Sequence, residues 1–269
     1  MAQRSPEEYD YLGRKAVLEL LDRELAAAGM EIDARLAEDV WPSVGIPIQP
    51  IHLSNALTEL VRQGQIIVTT ESTRGGRALD IYQAVGGRRA TAIAKAAARK
   101  RLLLARYLGW SQGSPARPGL IGPAGERVVH EALVHSGTYR LVRPEGGNVS
   151  QFLGQQMQGR LDDAAILTPI DNGLPGPPIA IPIEVKNQRD WIHPTSQEPF
   201  QLLDKAATLQ AAQPGVPILP VLVTRRAHTT AFKMAKQMGF FIVETRRQYI
   251  SPVDPDALNE VRAELGFLI

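Results

Sequence analysis

The chain has 269 residues, of which 44% are apolar, and a formal net charge of +2. It is long enough for two modest domains with apolar cores, and so small a net charge does not by itself indicate a class of partner. The chain has no cysteine, which excludes disulfides, thiol catalysis and structural zinc bound through sulfur. No apolar run reaches the ~18 residues that a membrane helix needs, and the first ten residues are polar, so we expect a cytoplasmic protein with no membrane partner.

Residues 1–85 predict three helices followed by a β-hairpin. Apolar residues recur at helical spacing in 17–25, 32–40 and 53–61, and strand-like runs flank a tip rich in Gly and Arg. This order resembles a winged helix-turn-helix domain, which implies a third helix in the major groove of DNA and a hairpin that acts as a wing. The residues expected to contact DNA are Ser54, Asn55, Thr58 and Arg62 on the third helix and Arg74 and Arg77 on the wing. The alternative is a winged helix used for protein contacts or dimerisation.

Residues 86–118 predict a basic helix and a linker. Between Arg88 and Tyr107 the sequence is rich in Ala and carries seven Lys or Arg residues without one acidic residue. A solvated linker helix is one explanation. The one-sided charge favours a second explanation, in which Arg99, Lys100 and Arg101 contact DNA phosphates. The Gly, Pro and Ser content of residues 110–125 is typical of a connecting segment.

Two strands in residues 119–269 bring charged side chains into apolar surroundings. Residues 181–187 read Ile-Pro-Ile-Glu-Val-Lys-Asn, and side-chain alternation places Glu184 and Lys186 on one face of this strand. A solvated edge strand would explain so short a pattern equally well. Upstream, residues 159–167 predict a strand with Asp162 and Asp163 near its start, joined to the first by a turn rich in Gly and Pro.

Adjacent strands can hold an aspartate and a glutamate side by side. Two carboxylates a few ångströms apart repel each other unless a cation lies between them, and ligands that are all oxygen suit Mg²⁺ or Mn²⁺. A cation held in this way can polarise a phosphodiester and acidify a bound water. Lys186 can orient that water or neutralise charge on the phosphate. The pattern therefore indicates phosphodiester hydrolysis.

These residues resemble the PD-(D/E)xK, or restriction-endonuclease-like, nucleases over roughly residues 119–250, although no Pro precedes the Asp. The resemblance implies an α/β (α+β) fold with an αβββαβ core and a mixed central sheet. It also implies a catalytic set of Glu126, Asp162, Glu184 and Lys186, in which Asp162 and Glu184 bind the metal. Asp163 is the alternative aspartate, and Glu131 is the alternative to Glu126.

The activity that the resemblance implies is a Mg²⁺-dependent endonuclease acting on DNA, most plausibly in restriction of foreign DNA. A junction-resolving or repair nuclease is an alternative with the same chemistry. A DNA-binding regulator with an inactive nuclease-like domain is an alternative from another class, and a homodimer is possible.

Two further residues follow from the same reasoning. Gln188 is two residues beyond Lys186, so it is expected on the catalytic face, where it can bind substrate. Lys205 lies on a predicted helix after Pro199 and is expected to be a solvated lysine, with contact to a substrate phosphate as the alternative.

Overall fold

A computed structural model of the chain describes residues 5–72, 78–113 and 119–269. The chain divides into two compact units. The first contains Met1–Gln112 and Val253–Leu268, and the second contains Gly113–Pro252 together with Ile269. This division differs from the expected domains in two places, because the basic helix belongs to the first unit and the C-terminal segment returns to that unit.

The first unit begins with helices and a small antiparallel sheet. Its elements are α1 (Pro6–Glu24), β1 (Ala26–Ala28), α2 (Gly29–Ile32) with a π-helical turn (Asp33–Ala37), α3 (Pro50–Arg62), β2 (Ile66–Ser72), β3 (Ala78–Ala84), a 3₁₀ turn (Gly87–Arg89) and α4 (Ala90–Gln112). The strands pair in the order β1–β3–β2. Strand β1 was not predicted from the sequence, because its three residues are alanines and alanine is depleted in strands. It forms a strand because it pairs with β3, where Ala27 lies opposite Tyr82.

The second unit is built around a five-stranded sheet. Its elements are α5 (Gly122–Ser136), β4 (Tyr139–Leu141), β5 (Val149–Phe152), β6 (Gln155–Leu161), β7 (Asp163–Leu167), β8 (Ile170–Asp171), β9 (Leu174–Pro175), β10 (Ile179–Lys186), α6 (Gln197–Ala212), β11 (Val221–Thr224), α7 (Thr229–Met238) and β12 (Phe241–Glu244). The last helix, α8 (Pro255–Leu265), packs in the first unit.

The sheet of the second unit has the strand order β12–β11–β10–β7–β4. Strands β10, β11 and β12 are parallel, whereas β7 is antiparallel to both β10 and β4. The α+β class and the mixed central sheet are therefore confirmed. Along the chain, α5, β4, β7, β10, α6 and β11 follow the expected αβββαβ order, with the short pairs β5–β6 and β8–β9 inserted.

The two faces of this sheet pack against different helices. Ile183 and Val185 belong to an apolar cluster that includes Val129 and Leu133 of α5. On the opposite face, the core includes Leu202 and Leu209 of α6. Because side chains alternate along β10, Glu184 and Lys186 lie on the α6 face at the carboxyl end of the strand.

Helix α4 is part of the core of the first unit. Its buried side chains recur every three or four residues, and it packs against β1, β3 and α8. Tyr107 of α4 makes an edge-to-face contact with Phe267, which follows α8, at 4.9 Å between ring centroids. Arg106 of the same helix donates to Glu260 of α8 at 2.7 Å. The apolar stripe, rather than the charge, therefore determines where this helix lies.

Within the part of the chain that the structure describes, no helix combines the length and the apolar character needed to cross a membrane.

Candidate active site

Glu184 and Lys186 form an ion pair at the end of β10. The Nζ of Lys186 donates to Oε1 of Glu184 at 2.8 Å. Glu184 is only 5% exposed, so its charge lies where an unpaired carboxylate would be costly. Strand alternation predicts that the two side chains leave the same face of the strand, and the structure shows that they pair there.

Asp162 joins this pair from a break between two strands. The expected single strand over 159–167 is two strands, β6 and β7, with Asp162 in the bend between them. Its Oδ2 accepts a hydrogen bond from the backbone N–H of Val185 at 2.7 Å and lies 3.8 Å from Nζ of Lys186. The bend removes Asp162 from the strand ladder, so its carboxylate can reach β10.

Asp163 points elsewhere. Its Oδ2 lies 2.8 Å from Nδ1 of His130 on α5, and its Oδ1 accepts from the N–H of Ala164 at 2.7 Å. Asp163 is therefore buried against α5, apart from Glu184. The structure brings Asp162, and not Asp163, into the cluster. His130 was not recognised from the sequence as a partner, although it lies one helical turn after Glu126.

Glu126 adds a third carboxylate from α5. Burial raises the pKa of its carboxyl group, and the charges of Asp162 and Glu184 raise it further, whereas Lys186 opposes them. Glu126 is therefore close enough to the other charged groups of the site for their charges to act on it. The alternative, Glu131, is exposed on the same helix.

A glycine allows α5 to come this close to β10. A Cβ added to Gly125 would overlap the Cβ of Asn187, which is attached directly to the strand backbone. Asn187 fixes the same junction, because its Nδ2 donates to the carbonyls of Ile121 and Tyr249 and its Oδ1 accepts from the N–H of Tyr249 at 3.1 Å. Glu126 is therefore held at the end of β10 by close packing next to it.

Lys205 is also part of the cluster, which corrects the expectation of a solvated side chain. It is 8% exposed, and its Nζ donates to Oε2 of Glu184 at 2.9 Å and to the carbonyl of Arg160 at 2.6 Å. Its position in the sequence contained the signal, because Lys205 lies three residues after Leu202 and four before Leu209 on the buried stripe of α6.

The charges of the cluster shift one another. Burial and the charge of Glu184 raise the pKa of Asp162, and the hydrogen bond from Val185 and the two lysines oppose this shift. Burial lowers the pKa of Lys186, but the hydrogen bond to Glu184 and the nearby carboxylates outweigh burial, so its pKa is raised. Lys186 is thus an ammonium ion between carboxylates.

The site offers carboxylate oxygens as ligands for a divalent cation. Among the described residues, no group of three or more His, Asp or Glu side chains is placed to hold a metal ion. Mg²⁺ does not require such a group, since it commonly binds one or two carboxylates together with water and substrate phosphate. Asp162 and Glu184 fit that requirement, because burial and, after it, the charge of Glu184 raise the pKa of Asp162, and a cation would offset both effects.

The remaining predicted site residues lie in several places. Gln188 lies beside the cluster, with Nε2 3.5 Å from Glu198, a residue whose charge also acts on Lys186. The side chains of Ser54, Asn55, Thr58 and Arg62 are exposed on α3. Arg62 is paired with Glu59 at 2.6 Å. Arg74 and Arg77 lie outside the described residues.

For Lys100 the structure contradicts the expected contact with DNA phosphates, whereas for Arg99 and Arg101 that contact stays a prediction. Lys100 is 3% exposed, and its Nζ donates to Glu31 at 2.7 Å and to the carbonyl of Glu264 at 2.6 Å. Arg99 lies 3.4 Å from Glu260, and Arg101 lies 2.9 Å from Glu71. The helix contains no acidic residue, but α2, α8 and β2 supply acidic partners for Lys100, Arg99 and Arg101 within the first unit.

The protein is similar in part to three solved structures. The first is a repair endonuclease from Pyrococcus abyssi, which is 11% identical over 66% of this chain and 64% of that chain, with a TM-score of 0.30. The second is EndoMS in apo form, which is 10% identical over 70% of this chain and 66% of that chain, with a TM-score of 0.24. The third is restriction endonuclease FokI, which is 10% identical over 100% of this chain and 46% of that chain, with a TM-score of 0.28. The chain spans less than two thirds of the length of each. No family model and no curated protein matches it. At these TM-scores the function has to be argued from the site itself.

Proposed function

We propose that the protein is a Mg²⁺-dependent DNA endonuclease of the restriction type. The observation that supports this proposal is the convergence of Glu126, Asp162, Glu184 and Lys186 at the carboxyl end of β10. Buried carboxylates beside an ammonium ion suit the binding of a cation and of a phosphodiester. Buried charges of this kind generally cost stability relative to apolar residues, so a cluster with several of them at the end of one strand favours a functional role.

Each residue has a role that follows from its position. Asp162 and Glu184 would hold Mg²⁺, with Mn²⁺ as a substitute, and Glu126 would support them from α5. When bound, the cation supplies polarisation of the phosphodiester and acidifies the attacking water. The N–H of Val185 holds Asp162 in place. Lys186 is a cation next to both carboxylates, so it can neutralise charge that develops on the phosphate.

The first unit is proposed to be a winged helix that delivers the nuclease to DNA. Three helical segments are followed by the β2–β3 hairpin, and β1 completes an antiparallel sheet. Helix α3 buries Leu53, Ala56 and Leu60 and exposes the polar face that contains Asn55 and Thr58. Short polar side chains on an exposed helix suit contacts with base edges in the major groove.

The test is cleavage of supercoiled plasmid by the wild-type protein with Mg²⁺, with Mn²⁺ and with EDTA. We expect nicked and linear products with either cation and none in EDTA. Glu184→Gln should remove cleavage while DNA binding in EDTA persists, because the change keeps the shape of the side chain and removes its charge. Cleavage by Glu184→Gln at the wild-type rate would remove this residue from the mechanism.

A panel of substrates distinguishes the restriction role from repair or junction resolution. The panel contains plain duplex, methylated duplex, mismatched duplex, single strands and four-way junctions. A restriction-type enzyme should cut duplex at defined sites according to sequence or methylation. Preference for mismatched duplex or for junctions would instead assign a repair or junction-resolving role, and binding without cleavage of any substrate would favour the regulator.

A further inference from the structure

Glu184 is held by two lysines that differ in their surroundings. Its Oε1 accepts from Lys186 at 2.8 Å, and its Oε2 accepts from Lys205 at 2.9 Å. Both oxygens of a buried carboxylate are thus engaged, each by a different ammonium group. Lys186 comes from the same strand, whereas Lys205 comes from α6 on the facing layer.

The two lysines are not equally free to move. The side chain of Lys186 is 23% exposed, and its second neighbour, Asp162, is 3.8 Å away. Lys205 is nearly buried and makes a second hydrogen bond, to the carbonyl of Arg160 at 2.6 Å. Lys186 is therefore the lysine that a substrate phosphate can reach from solvent, whereas Lys205 would have to leave two acceptors and enter water.

The second hydrogen bond of Lys205 connects the two proposed cation ligands. Arg160 lies in β6, two residues before the bend that contains Asp162. The contacts from Arg160 through Lys205 to Glu184 therefore join the end of β6 to β10 by way of α6. Because Arg160 lies two residues before Asp162, this bridge adds to the direct hydrogen bond from Val185 in fixing where Asp162 lies relative to Glu184.

We infer that Lys205 is a positioning residue of the site, which holds Glu184 and the end of β6 so that Asp162 and Glu184 face the same cation. The inference rests on the proposed function for its catalytic consequence. The two lysines then have different roles. Lys205 stays hydrogen-bonded to Glu184, and Lys186 is available to contact the substrate. Groups that orient ligands in this way typically change metal affinity or activity by about 10–100-fold when they are lost.

The experiment compares Lys205→Met, Lys205→Arg and the control Lys233→Met with the wild type. Lys233 is an exposed lysine on α7, so its loss should have no effect. Mg²⁺ affinity without DNA is measured by isothermal titration calorimetry, DNA affinity is measured in EDTA, and the single-turnover rate is measured at saturating DNA. We expect Lys205→Met to weaken Mg²⁺ binding and to slow cleavage, each by about 10–100-fold, with unchanged DNA affinity. Lys205→Arg keeps the charge, so it should recover part of the Mg²⁺ affinity and part of the cleavage rate.

A thermal double-mutant cycle with Glu184→Gln tests the same contact without requiring activity. If Lys205 holds Glu184, then Lys205→Met should lower the melting temperature of the wild type more than it lowers that of Glu184→Gln. Equal shifts in both backgrounds, or wild-type Mg²⁺ affinity and cleavage rate in Lys205→Met, would overturn the inference. Absence of cleavage by the wild type would instead overturn the proposed function, and the thermal cycle would still decide whether Lys205 holds Glu184.

Discussion

Two aspartates that are adjacent in the sequence, Asp162 and Asp163, bond to different elements of the second unit. Asp162 lies in a bend and bonds to β10, whereas Asp163 begins β7 and bonds to His130 of α5. At the other side of the site, the absence of a side chain on Gly125 is as important as the charge of Glu126, because Asn187 occupies the adjacent space.

Gly125→Ala should destabilise the protein by about 1–3 kcal/mol, the range typical of an overpacked site. In a helix, alanine is normally favoured over glycine by about 1 kcal/mol, but here the new Cβ would overlap the Cβ of Asn187. The overlap moves α5 away from β10, so cleavage should also fall as Glu126 moves. Denaturant unfolding and single-turnover cleavage measure the two effects.

Gly122→Ala is the matched control. Gly122 lies at the start of the same helix, and an added Cβ would meet nothing within 4 Å. This variant should keep its cleavage rate and should be no less stable than the wild type. Equal behaviour of the two alanine variants would show that close packing at Gly125 does not position Glu126.

At the scale of single elements, α4 shows how burial changes the role of a charged residue. Lys100 of this helix donates a hydrogen bond to the buried carboxylate of Glu31, and Arg35 donates to the same carboxylate at 3.0 Å. Burial raises the pKa of Glu31, and the two cations oppose that shift. Lys100 and Arg35 also donate to the last carbonyls of α8, which have no partners within the helix.

Lys100→Met should therefore destabilise the first unit by about 3–5 kcal/mol, because it leaves Glu31 buried beside only one cation. The double change Lys100→Met with Glu31→Met should recover much of that loss, since apolar residues can replace a buried ion pair. Arg101→Ala, which removes a more exposed pair, should cost about 0–1 kcal/mol. Urea unfolding followed by circular dichroism measures all three, and a Lys100→Met variant as stable as Arg101→Ala would contradict the buried network.

Helix α3 is expected to carry sequence selectivity. The double change Asn55→Ala and Thr58→Ala removes two exposed polar side chains, so stability should change by no more than about 0.5 kcal/mol. If each side chain reads a base, the preference between a specific and an unrelated duplex should fall by about 1–3 kcal/mol per contact. Competition binding in EDTA measures this preference. Asn259→Ala, on the exposed side of α8, is the control, and equal selectivity in both variants would assign α3 to protein contacts.

At the scale of the whole molecule, the chain completes its first unit only near its C-terminus. Val261 and Leu265 of α8 are fully buried in that unit, together with Phe267. Removal of residues 1–85 would thus delete β1 and β3, and α4 would lose the strands against which it packs. Point changes test the division between the units more cleanly than truncation does.

Leu265→Asp should loosen the first unit and leave the second unit intact. A charge at this buried position has no partner, so the local structure should open. In hydrogen exchange measured by mass spectrometry, α4 and β1 should exchange faster, and β7 and β10 should keep their protection. Leu268→Asp is the control, since Leu268 is 57% exposed. Faster exchange in β10 with unchanged α4 would assign α8 to the second unit instead.

The sequence by itself determined the features that depend on neighbouring residues. Alternation along β10 placed Glu184 and Lys186 on one face, helical spacing located α3, an alanine-rich composition indicated α4, and the resemblance to a nuclease family implied a mixed sheet. The first two features follow from local geometry, namely a period of two residues in strands and of 3.6 in helices.

Only the tertiary structure decided which charged residues are paired, and with which partners. It separated Asp162 from Asp163, brought Lys205 to Glu184, buried Lys100 against Glu31 and returned α8 to the first unit. Each of these results depends on contacts between residues far apart in the chain, and for a charged residue the partner decides whether burial is tolerated. Local sequence shows that Lys100 and Lys205 are charged and that each lies on an apolar stripe, but the carboxylates that make burial acceptable come from other elements of the fold.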